Sequence, residues 1–237
     1  PDIIHTHTAK AGTLGRLAGI LYNFLHFFCG KQVKLIHTFH GHIFEGYFSP
    51  FVIKLFVLIE KSLAFFTCKI ITVSESVKQE LINLGIGNKN KIIVIPLGLE
   101  LDKFINIPPR DNTIVSNIGI IARLVPIKNH RLFLDSAAEV IKDNAKMQLK
   151  FKIVGDGELR KELEAYAQKL KISGSVDFLG WQKDLVNVYS NLDIVTLTSI
   201  NEGTPISLIE AMASGRAVVA TDVGGVRDLL GVEIDTA

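Results

Sequence analysis

Several residue types and motifs are scarce in these 237 residues, and each scarcity weakens the case for one class of protein. Only two cysteines occur, with no C-x-x-C pair, which fits a reducing compartment better than a disulfide framework. The formal net charge is only +2, so the chain offers no basic stripe for nucleic acid. Gly155-Asp156-Gly157 has no third glycine to complete a dinucleotide-binding fingerprint, and there is no P-loop. NAD and ATP chemistry therefore lack support.

The chain also lacks an uninterrupted apolar run long enough to cross a bilayer. Residues 49–66 are strongly apolar, but Lys54, Glu60 and Lys61 interrupt a span that would need about 20 apolar residues. We expect a core-facing helix here. An amphipathic helix lying on the membrane surface is the alternative, because phenylalanines with interspersed lysines suit that environment.

The ends of the chain lack the features of a complete protein. No signal peptide or initiating methionine opens it, and Pro1 falls just inside an expected strand. Residues 231–237 stop without a closing element. We therefore expect a fragment that is truncated at both ends.

What is present divides into two differently composed halves. Six of the seven histidines and 11 of the 14 phenylalanines precede residue 108. The first half carries an excess of Lys and Arg, and the remainder a slight excess of Asp and Glu. With 48% hydrophobic residues the chain suits a globular protein of one or two domains. We place the boundary near residues 108–112, which gives domains over 1–107 and 108–237.

Short apolar strands alternate with helices along both halves. Strands are predicted over 2–5, 33–38, 69–73, 91–95, 113–122, 149–154, 175–179 and 193–198. Helices are predicted over 11–28, 75–84, 129–142, 158–170 and 184–190, and after Pro205. This alternation predicts parallel sheets covered by helices. Ligands bind beyond the carboxyl ends of such strands, and that edge receives Arg123, Lys128, Gly155, Gly180 and Glu202.

Residues 199–215 have the pattern of an anion-binding turn between a strand and a helix. Gly203 allows close backbone approach, and Thr204 is predicted to cap a helix that starts at Pro205 and ends at Gly215. Free amides and the helix dipole would suit a diphosphate. Glu202 and Glu210 could then reach hydroxyls of a sugar or ribose, although two glutamates at this spacing also occur by chance.

Arg123 and Lys128 lie five residues apart on the loop that leaves the first strand of the second half. Fixed cations there would stabilise the negative charge that develops on a leaving diphosphate, and no metal would then be needed. Two solvated loop charges are the alternative explanation.

Two groups of histidines, His5 with His7 and His37 with His40 and His42, follow strands in the first half. Neutral imidazole is a common zinc ligand, but no cysteine and few carboxylates accompany these residues. We therefore expect no metal site.

The run from Glu202 to Gly215, with residues 217–225 after it, resembles the E-x7-E signature of the retaining glycosyltransferases of family 4. Residues 121–129 resemble that family's G-R-L-x-x-x-K element, with Ala122 where a glycine is usual. The turn at Gly155 and residues 176–181 resemble the family's next turn and the segment lining its nucleobase pocket. The histidine segments resemble acceptor-domain motifs of a branch that includes bacterial capsule and exopolysaccharide transferases.

This resemblance implies an α/β protein of the GT-B fold, with two Rossmann-like domains facing each other across a cleft and the N-terminal one incomplete. Residues 1–107 would bind the acceptor and residues 108–237 the nucleotide sugar. The implied reaction moves a sugar from a nucleotide-diphosphate sugar, with a UDP-sugar favoured, to a hydroxyl of a lipid-linked saccharide or polysaccharide. It would proceed with retention and without a metal or cofactor, in keeping with the absence of Asp-x-Asp. A cytoplasmic protein with peripheral contact at the inner membrane face is expected, with no nucleic-acid partner.

The resemblance also assigns roles to residues. Arg123 and Lys128 would neutralise the diphosphate, and His40 with His7 would position the reacting sugar and acceptor. Glu202 would hold hydroxyls of the transferred sugar. The donor site would be completed by Gly155, Gly180, Gly203, Thr204, Pro205 and Glu210, the last binding the ribose. Two other classes remain open: a nucleotide-sugar 2-epimerase of the same fold and a non-catalytic nucleotide-sugar-binding module.

Overall fold

The structure is a computed structural model that describes residues 1–41, 50–108 and 115–231. His42 and most of the predicted boundary at 108–112 lie outside the described residues. The chain divides into two compact units. One contains the described residues of Pro1–Gly98, Asn201–Thr204 and Gly224–Ala237, and the other contains those of Leu99–Ile200 and Pro205–Val223.

The first unit is built on a sheet of four parallel strands, which lie in the order of the sequence. The strands are β1 (Ile3–His7), β2 (Lys34–Phe39), β3 (Lys69–Thr72) and β4 (Ile92–Val94). The connecting helices are α1 (Ala9–Leu25), α2 (Pro50–Phe66) and α3 (Glu75–Asn83). Ser74 caps α3 by accepting a hydrogen bond from the Val77 amide, as its position before the helix predicts.

Helix α1 packs closely on β1 and β2 because its sheet-facing positions are small. A Cβ at Gly12 would overlap the ring of His37, and a Cβ at Gly19 would overlap Leu35. Helix α2 packs with Ile53, Phe56 and Val57 on the core of the unit. The expectation of a core-facing helix is therefore confirmed for one face of α2. In the described part of the chain, no helix combines the length and apolar character that crossing a bilayer requires.

The second unit is built on five parallel strands in the order β7-β6-β5-β8-β9. These strands are β5 (Val115–Ile121), β6 (Gln148–Val154), β7 (Val176–Gly180), β8 (Ile194–Leu197) and β9 (Ala217–Ala220). Its helices are α4 (Asp102–Ile105), α5 (His130–Asp143), α6 (Arg160–Lys169), α7 (Leu185–Ser190) and α8 (Ile206–Ala213). The strand order reverses direction beside β5, which is the position where doubly wound sheets bind ligands. A further helix, α9 (Gly225–Leu230), belongs to the first unit.

Helix α8 ends as its sequence predicts but begins differently. Gly215 has φ of 66°, and the amides of Gly215 and Arg216 donate to Met212 and Ala211, which forms a Schellman ending. The prediction that Thr204 caps the helix is wrong, because the cap position belongs to Pro205, which makes no side-chain cap. Thr204 lies one residue too early to reach the amides of the first turn.

A buried ion pair joins α1 to α2, although no local sequence pattern indicates it. Nη2 of Arg16 lies 2.7 Å from Oε1 of Glu60, and both side chains are almost fully shielded from solvent. Nε of Arg16 donates to the Gly12 carbonyl at 3.0 Å. Burial raises the pKa of Glu60, and the neighbouring guanidinium opposes that shift. The pair therefore fixes the two helices at the cost of desolvating two charges.

We expect Glu60→Leu to lower the free energy of unfolding by about 3–5 kcal/mol, because Arg16 would remain charged and buried without its partner. The double variant Arg16→Met with Glu60→Leu should recover most of that loss, because it removes both desolvated charges. Urea unfolding of the two variants measures the difference. Equal losses in both would contradict this account of the pair.

Candidate active site

Imidazoles gather at the carboxyl ends of β1 and β2 in the first unit. Nδ1 of His7 lies 2.8 Å from Nε2 of His40, and the His5 and His7 rings are 4.3 Å apart between centroids. Nε2 of His5 lies 2.8 Å from the hydroxyl oxygen of Thr38. The structure therefore brings together the two histidines that the sequence nominated.

One proton joins His7 to His40, since one ring must donate and the other accept. Protonating both rings would leave two N–H groups pointing at each other. Burial, followed by the positive field of His7, lowers the pKa of His40. Burial and the same field, with a smaller contribution from His40, lower the pKa of His5. His5 and His40 are therefore suited to act as neutral, polar groups near neutral pH.

His37 precedes Thr38 on β2, points to the opposite face of the sheet and is fully buried. The Thr6 hydroxyl donates to the Ile36 carbonyl at 3.2 Å, so it must accept from Nδ1–H of His37, which is 2.8 Å away. Nε2 of His37 has no hydrogen-bond partner among the described residues. His37 thus packs under α1 and is held there by its hydrogen bond to Thr6.

The turn Glu202-Gly203-Thr204 also belongs to the first unit and packs directly on the turn after β2. A Cβ at Gly203 would overlap the carbonyl oxygen of His40 and the Cα of Gly41, so only glycine allows this approach. The Glu202 carbonyl accepts from the Gly225 amide at 3.0 Å. The hydroxyl of Thr204 is buried and has no hydrogen-bond partner within the described chain. A ligand oxygen or amide at this turn would satisfy that hydroxyl.

In the second unit, an open pocket of about 510 Å³ lies at the carboxyl ends of β5, β6 and β7. Arg123 and Lys183 supply positive charge to its lining, and Trp181 supplies an aromatic surface that is 73% exposed. The remaining lining residues are Ile121, Ala122, Val154, Gly155, Asp156, Gln182 and Leu185. A concave site with one aromatic side and two cations suits a flat ring joined to an anion.

Gly155 shapes this pocket through its backbone. Its φ is 136°, and a Cβ at this position would overlap the Ala122 carbonyl. Its amide donates to the Gly180 carbonyl at 2.8 Å, which joins the ends of β6 and β7. Arg160 reinforces the same edge by donating to the Phe178 carbonyl at 3.2 Å. Gly155 and Gly180 are therefore adjacent, as expected for residues at the carboxyl ends of neighbouring parallel strands.

Lys128 and Glu210 are held by contacts that the sequence did not reveal. The Thr198 hydroxyl lies 3.1 Å from the carbonyls of both Lys128 and Asn129, which ties the Lys128 loop to the end of β8. The buried Tyr189 hydroxyl donates to Oε2 of Glu210, 2.9 Å away. Burial and the nearby Glu210 charge raise the pKa of Tyr189, so the tyrosine remains a donor.

Several site residues were not found by sequence reasoning. Lys183 and Gln182 follow Trp181 in a short loop with no motif of its own, and Tyr189 lies on a helix of six residues. Lys128 is not among the residues that line the pocket containing Arg123. No three His, Cys, Asp or Glu side chains are grouped so that they could hold a metal ion in residues 1–41, 50–108 and 115–231.

Two family profiles match the sequence along almost its whole length. The family described as "Glycosyltransferase Family 4" matches residues 1–103, and the family described as "Glycosyl transferases group 1" matches residues 115–235. The chain belongs to the group 1, family 4 glycosyltransferases. Its two parallel sheets with connecting helices are those of the GT-B fold that this family shares with the similar solved structures.

Curated relatives in this glycosyltransferase family match nearly all of the chain. A UDP-Gal:alpha-D-GlcNAc-diphosphoundecaprenol alpha-1,3-galactosyltransferase of Escherichia coli is 30% identical over 99% of this chain and 61% of the relative. An N,N'-diacetylbacillosaminyl-diphospho-undecaprenol alpha-1,3-N-acetylgalactosaminyltransferase of Campylobacter jejuni is 31% identical over 94% of this chain and 60% of the relative. The chain therefore spans about three fifths of the length of these glycosyltransferases.

Solved structures agree on the fold. HepE from Anabaena, in complex with UDP and glucose, superposes with a TM-score of 0.77 at 22% identity and covers 97% of this chain and 61% of that one. A glycosyltransferase from Rickettsia africae superposes with a TM-score of 0.70 at 22% identity and covers 98% of this chain and 61% of that one.

Two buried histidines make the stability of this glycosyltransferase chain depend on pH. Burial lowers the pKa of His37 from 6.5 to about 3 and that of His130 to about 4, so both are neutral in the folded state. The unfolded chain binds these protons below pH 6.5, so this stability is present above that pH and is lost as pH falls to about 4 for His130 and about 3 for His37. We expect each of the two histidines to lower the free energy of unfolding by about 2 kcal/mol at pH 5 relative to pH 8.

Urea unfolding at pH 5 and pH 8 measures this loss. His130→Leu should remove about half of the contribution of the two histidines, because it leaves only His37 to titrate. If the free energy of unfolding changes between pH 5 and pH 8 by the same amount in His130→Leu as in the parent, His130 is accessible to protons in the folded state.

Proposed function

We propose that the protein transfers a sugar from a nucleotide-diphosphate sugar, with UDP as the nucleotide, to the hydroxyl of a lipid-linked saccharide or polysaccharide. The observation that carries this proposal is the pocket of about 510 Å³ with Trp181 on one side and Arg123 and Lys183 in the same lining. Membership of the group 1, family 4 glycosyltransferases supplies the reaction class.

Trp181 would stack on the base of the nucleotide, because its exposed ring offers a large flat surface. Arg123 would meet the diphosphate at the open side of the same pocket. Gly155 and Gly180 would let the backbone approach the nucleotide closely, since neither residue places a side chain in its way. This use of the pocket is supported by HepE, which was solved with UDP and glucose.

Arg123 and Lys128 would lower the barrier by stabilising the charge that develops on the departing diphosphate. The amides of Gly203 and Thr204, together with the unsatisfied Thr204 hydroxyl, would bind phosphate or sugar oxygens. Pro205 would fix the start of α8. We propose that no metal or other cofactor takes part, because these residues supply the necessary charge. Retention of anomeric configuration is part of the same proposal.

Glu210 would accept hydrogen bonds from the ribose hydroxyls, and Tyr189 would orient its carboxylate by donating to one oxygen. Glu202 would hold hydroxyls of the transferred sugar. His40 would contact the reacting sugar, and His7 would orient His40 through their shared hydrogen bond. The neutral state of His40 would let it donate at one ring nitrogen and accept at the other.

The acceptor class is supported by the Escherichia coli and Campylobacter jejuni relatives, whose names specify sugars joined to undecaprenol through a diphosphate. A cytoplasmic protein in peripheral contact with the inner membrane face would meet such an acceptor. We propose residues 1–107 as the acceptor-binding domain and residues 108–237 as the donor-binding domain.

The first test is calorimetry with UDP, GDP and ADP in the presence of EDTA. UDP should bind, and Trp181→Ala should raise its Kd about 5- to 150-fold, because a stacked base contributes about 1–3 kcal/mol. Trp181→Phe is the matched control and should retain most of the affinity. Glu210→Ala should also weaken binding through the lost ribose contact. UDP affinity that does not respond to either loss would place the nucleotide elsewhere.

Turnover tests the catalytic cations. Lys128→Ala should lower kcat by about 10²-fold or more if Lys128 stabilises leaving-group charge. Lys150→Ala, which removes a lysine that binds the Gly174 carbonyl, is a control and should leave kcat unchanged. Product analysis in EDTA distinguishes the classes: a transferase forms a glycoside, an epimerase changes the sugar without an acceptor, and a binding module forms neither. Near-normal turnover in Lys128→Ala would remove this residue from the site.

A further inference from the structure

Helix α1 exposes an apolar face on the side that points away from its sheet. Its buried positions are Gly12, Arg16 and Gly19. The opposite side of the helix repeats large apolar residues with helical spacing. These are Leu14, Leu17, Leu21, Phe24 and Leu25, all more than half exposed. Phe28 continues the stripe beyond the helix and is 97% exposed. A solvated outer face would instead carry polar residues.

Helix α2 repeats the same arrangement. Its inner side packs on the core, whereas Phe51, Leu55, Leu58 and Phe65 are at least half exposed on its outer side. Phe51 and Phe65 are each 78% exposed, which is unusual for a phenylalanine that has a core available nearby.

The two outer faces form one surface. Helices α1 and α2 contact each other in the first unit, and the Arg16–Glu60 ion pair fixes them together. Because Arg16 and Glu60 both lie on the buried sides, the opposite sides of the two helices point outward together. We call the exposed apolar residues of α1 and α2, with Phe28, the α1–α2 face.

Positive charge surrounds this face. Lys10 and Lys31 lie near the two ends of its α1 stripe, and Lys54 and Lys61, seven residues apart, run along one side of α2. All four are exposed. Among the described residues up to Phe66, Asp2 and Glu60 are the only acids, and Glu60 is buried in its ion pair. Lysines in these positions can reach past the apolar residues towards anionic groups.

We propose that the α1–α2 face lies on an anionic lipid bilayer, with its phenylalanines and leucines in the acyl boundary and its lysines at the lipid phosphates. Helices with an apolar face and flanking lysines bind in the plane of the interface. This inference deepens the peripheral contact proposed above by naming the surface. It also adds α1, for which the sequence pattern predicted no contact with the membrane. A second copy of the chain fits less well, because lysines would meet lysines across that interface.

Co-sedimentation with vesicles tests the surface without donor or acceptor. The protein should bind vesicles of phosphatidylglycerol and phosphatidylcholine, and added salt should weaken binding. Leu17→Glu and Leu58→Glu, one on each helix, should each lower the bound fraction at fixed lipid at least tenfold. Met147→Glu is the matched control, because Met147 is 54% exposed in the second unit, and it should bind like the parent. Phe28→Ser tests the same face outside both helices.

Parent-like binding by Leu17→Glu and Leu58→Glu, or no vesicle binding by the parent, would overturn the proposal. The proposal would also be overturned if the parent is a dimer in sedimentation velocity and both variants are monomers, because a second copy would then occupy the face. Transfer to a water-soluble acceptor should be unchanged in both variants. If the parent shows no transfer activity, the proposed reaction is refuted. The vesicle result still tests the proposed membrane surface, because it needs neither donor nor acceptor.

Discussion

Parallel pairing of the strands is the constraint on which the arrangement of this chain depends. Because every observed strand pair in both sheets is parallel, each strand must be followed by a crossover, and all strands of a sheet end at the same edge. That edge collects residues that are far apart in sequence. His7 thereby reaches His40 in the first unit, and Arg123 shares a pocket with Gly155 and Trp181 in the second.

Glycines allow turns at the strand ends to pack closely on one another. Gly203 packs on the His40 carbonyl, and Gly155 packs on the Ala122 carbonyl, and in both places a Cβ would overlap a backbone oxygen. The glycines therefore determine how near two turns come to each other, and the charged residues beside them gain fixed positions.

Burial separates the polar residues into two groups with different roles. Arg16, Glu60, His37 and His130 are buried away from solvent, where burial lowers the pKa of both histidines and the ion pair balances the two charges. His7, His40 and Trp181 remain exposed and can meet a ligand. The first unit buries the Arg16–Glu60 pair yet leaves the outer apolar faces of α1 and α2 exposed, which is unusual for a soluble surface.

The sequence by itself determined the alternation of strands and helices, the Gly215 helix ending and the family, because local periodicity and short motifs carry that information. It also nominated His7, His40, Arg123 and Glu210 from such motifs. Only the tertiary structure decided the partners: Tyr189 for Glu210, Glu60 for Arg16, and the α1 stripe as part of an outward face. Those contacts join residues between 21 and 44 positions apart or depend on which helix side meets the sheet. Local sequence patterns specify neither the distant contacts nor the side of a helix that meets the sheet, because packing across the whole unit determines both.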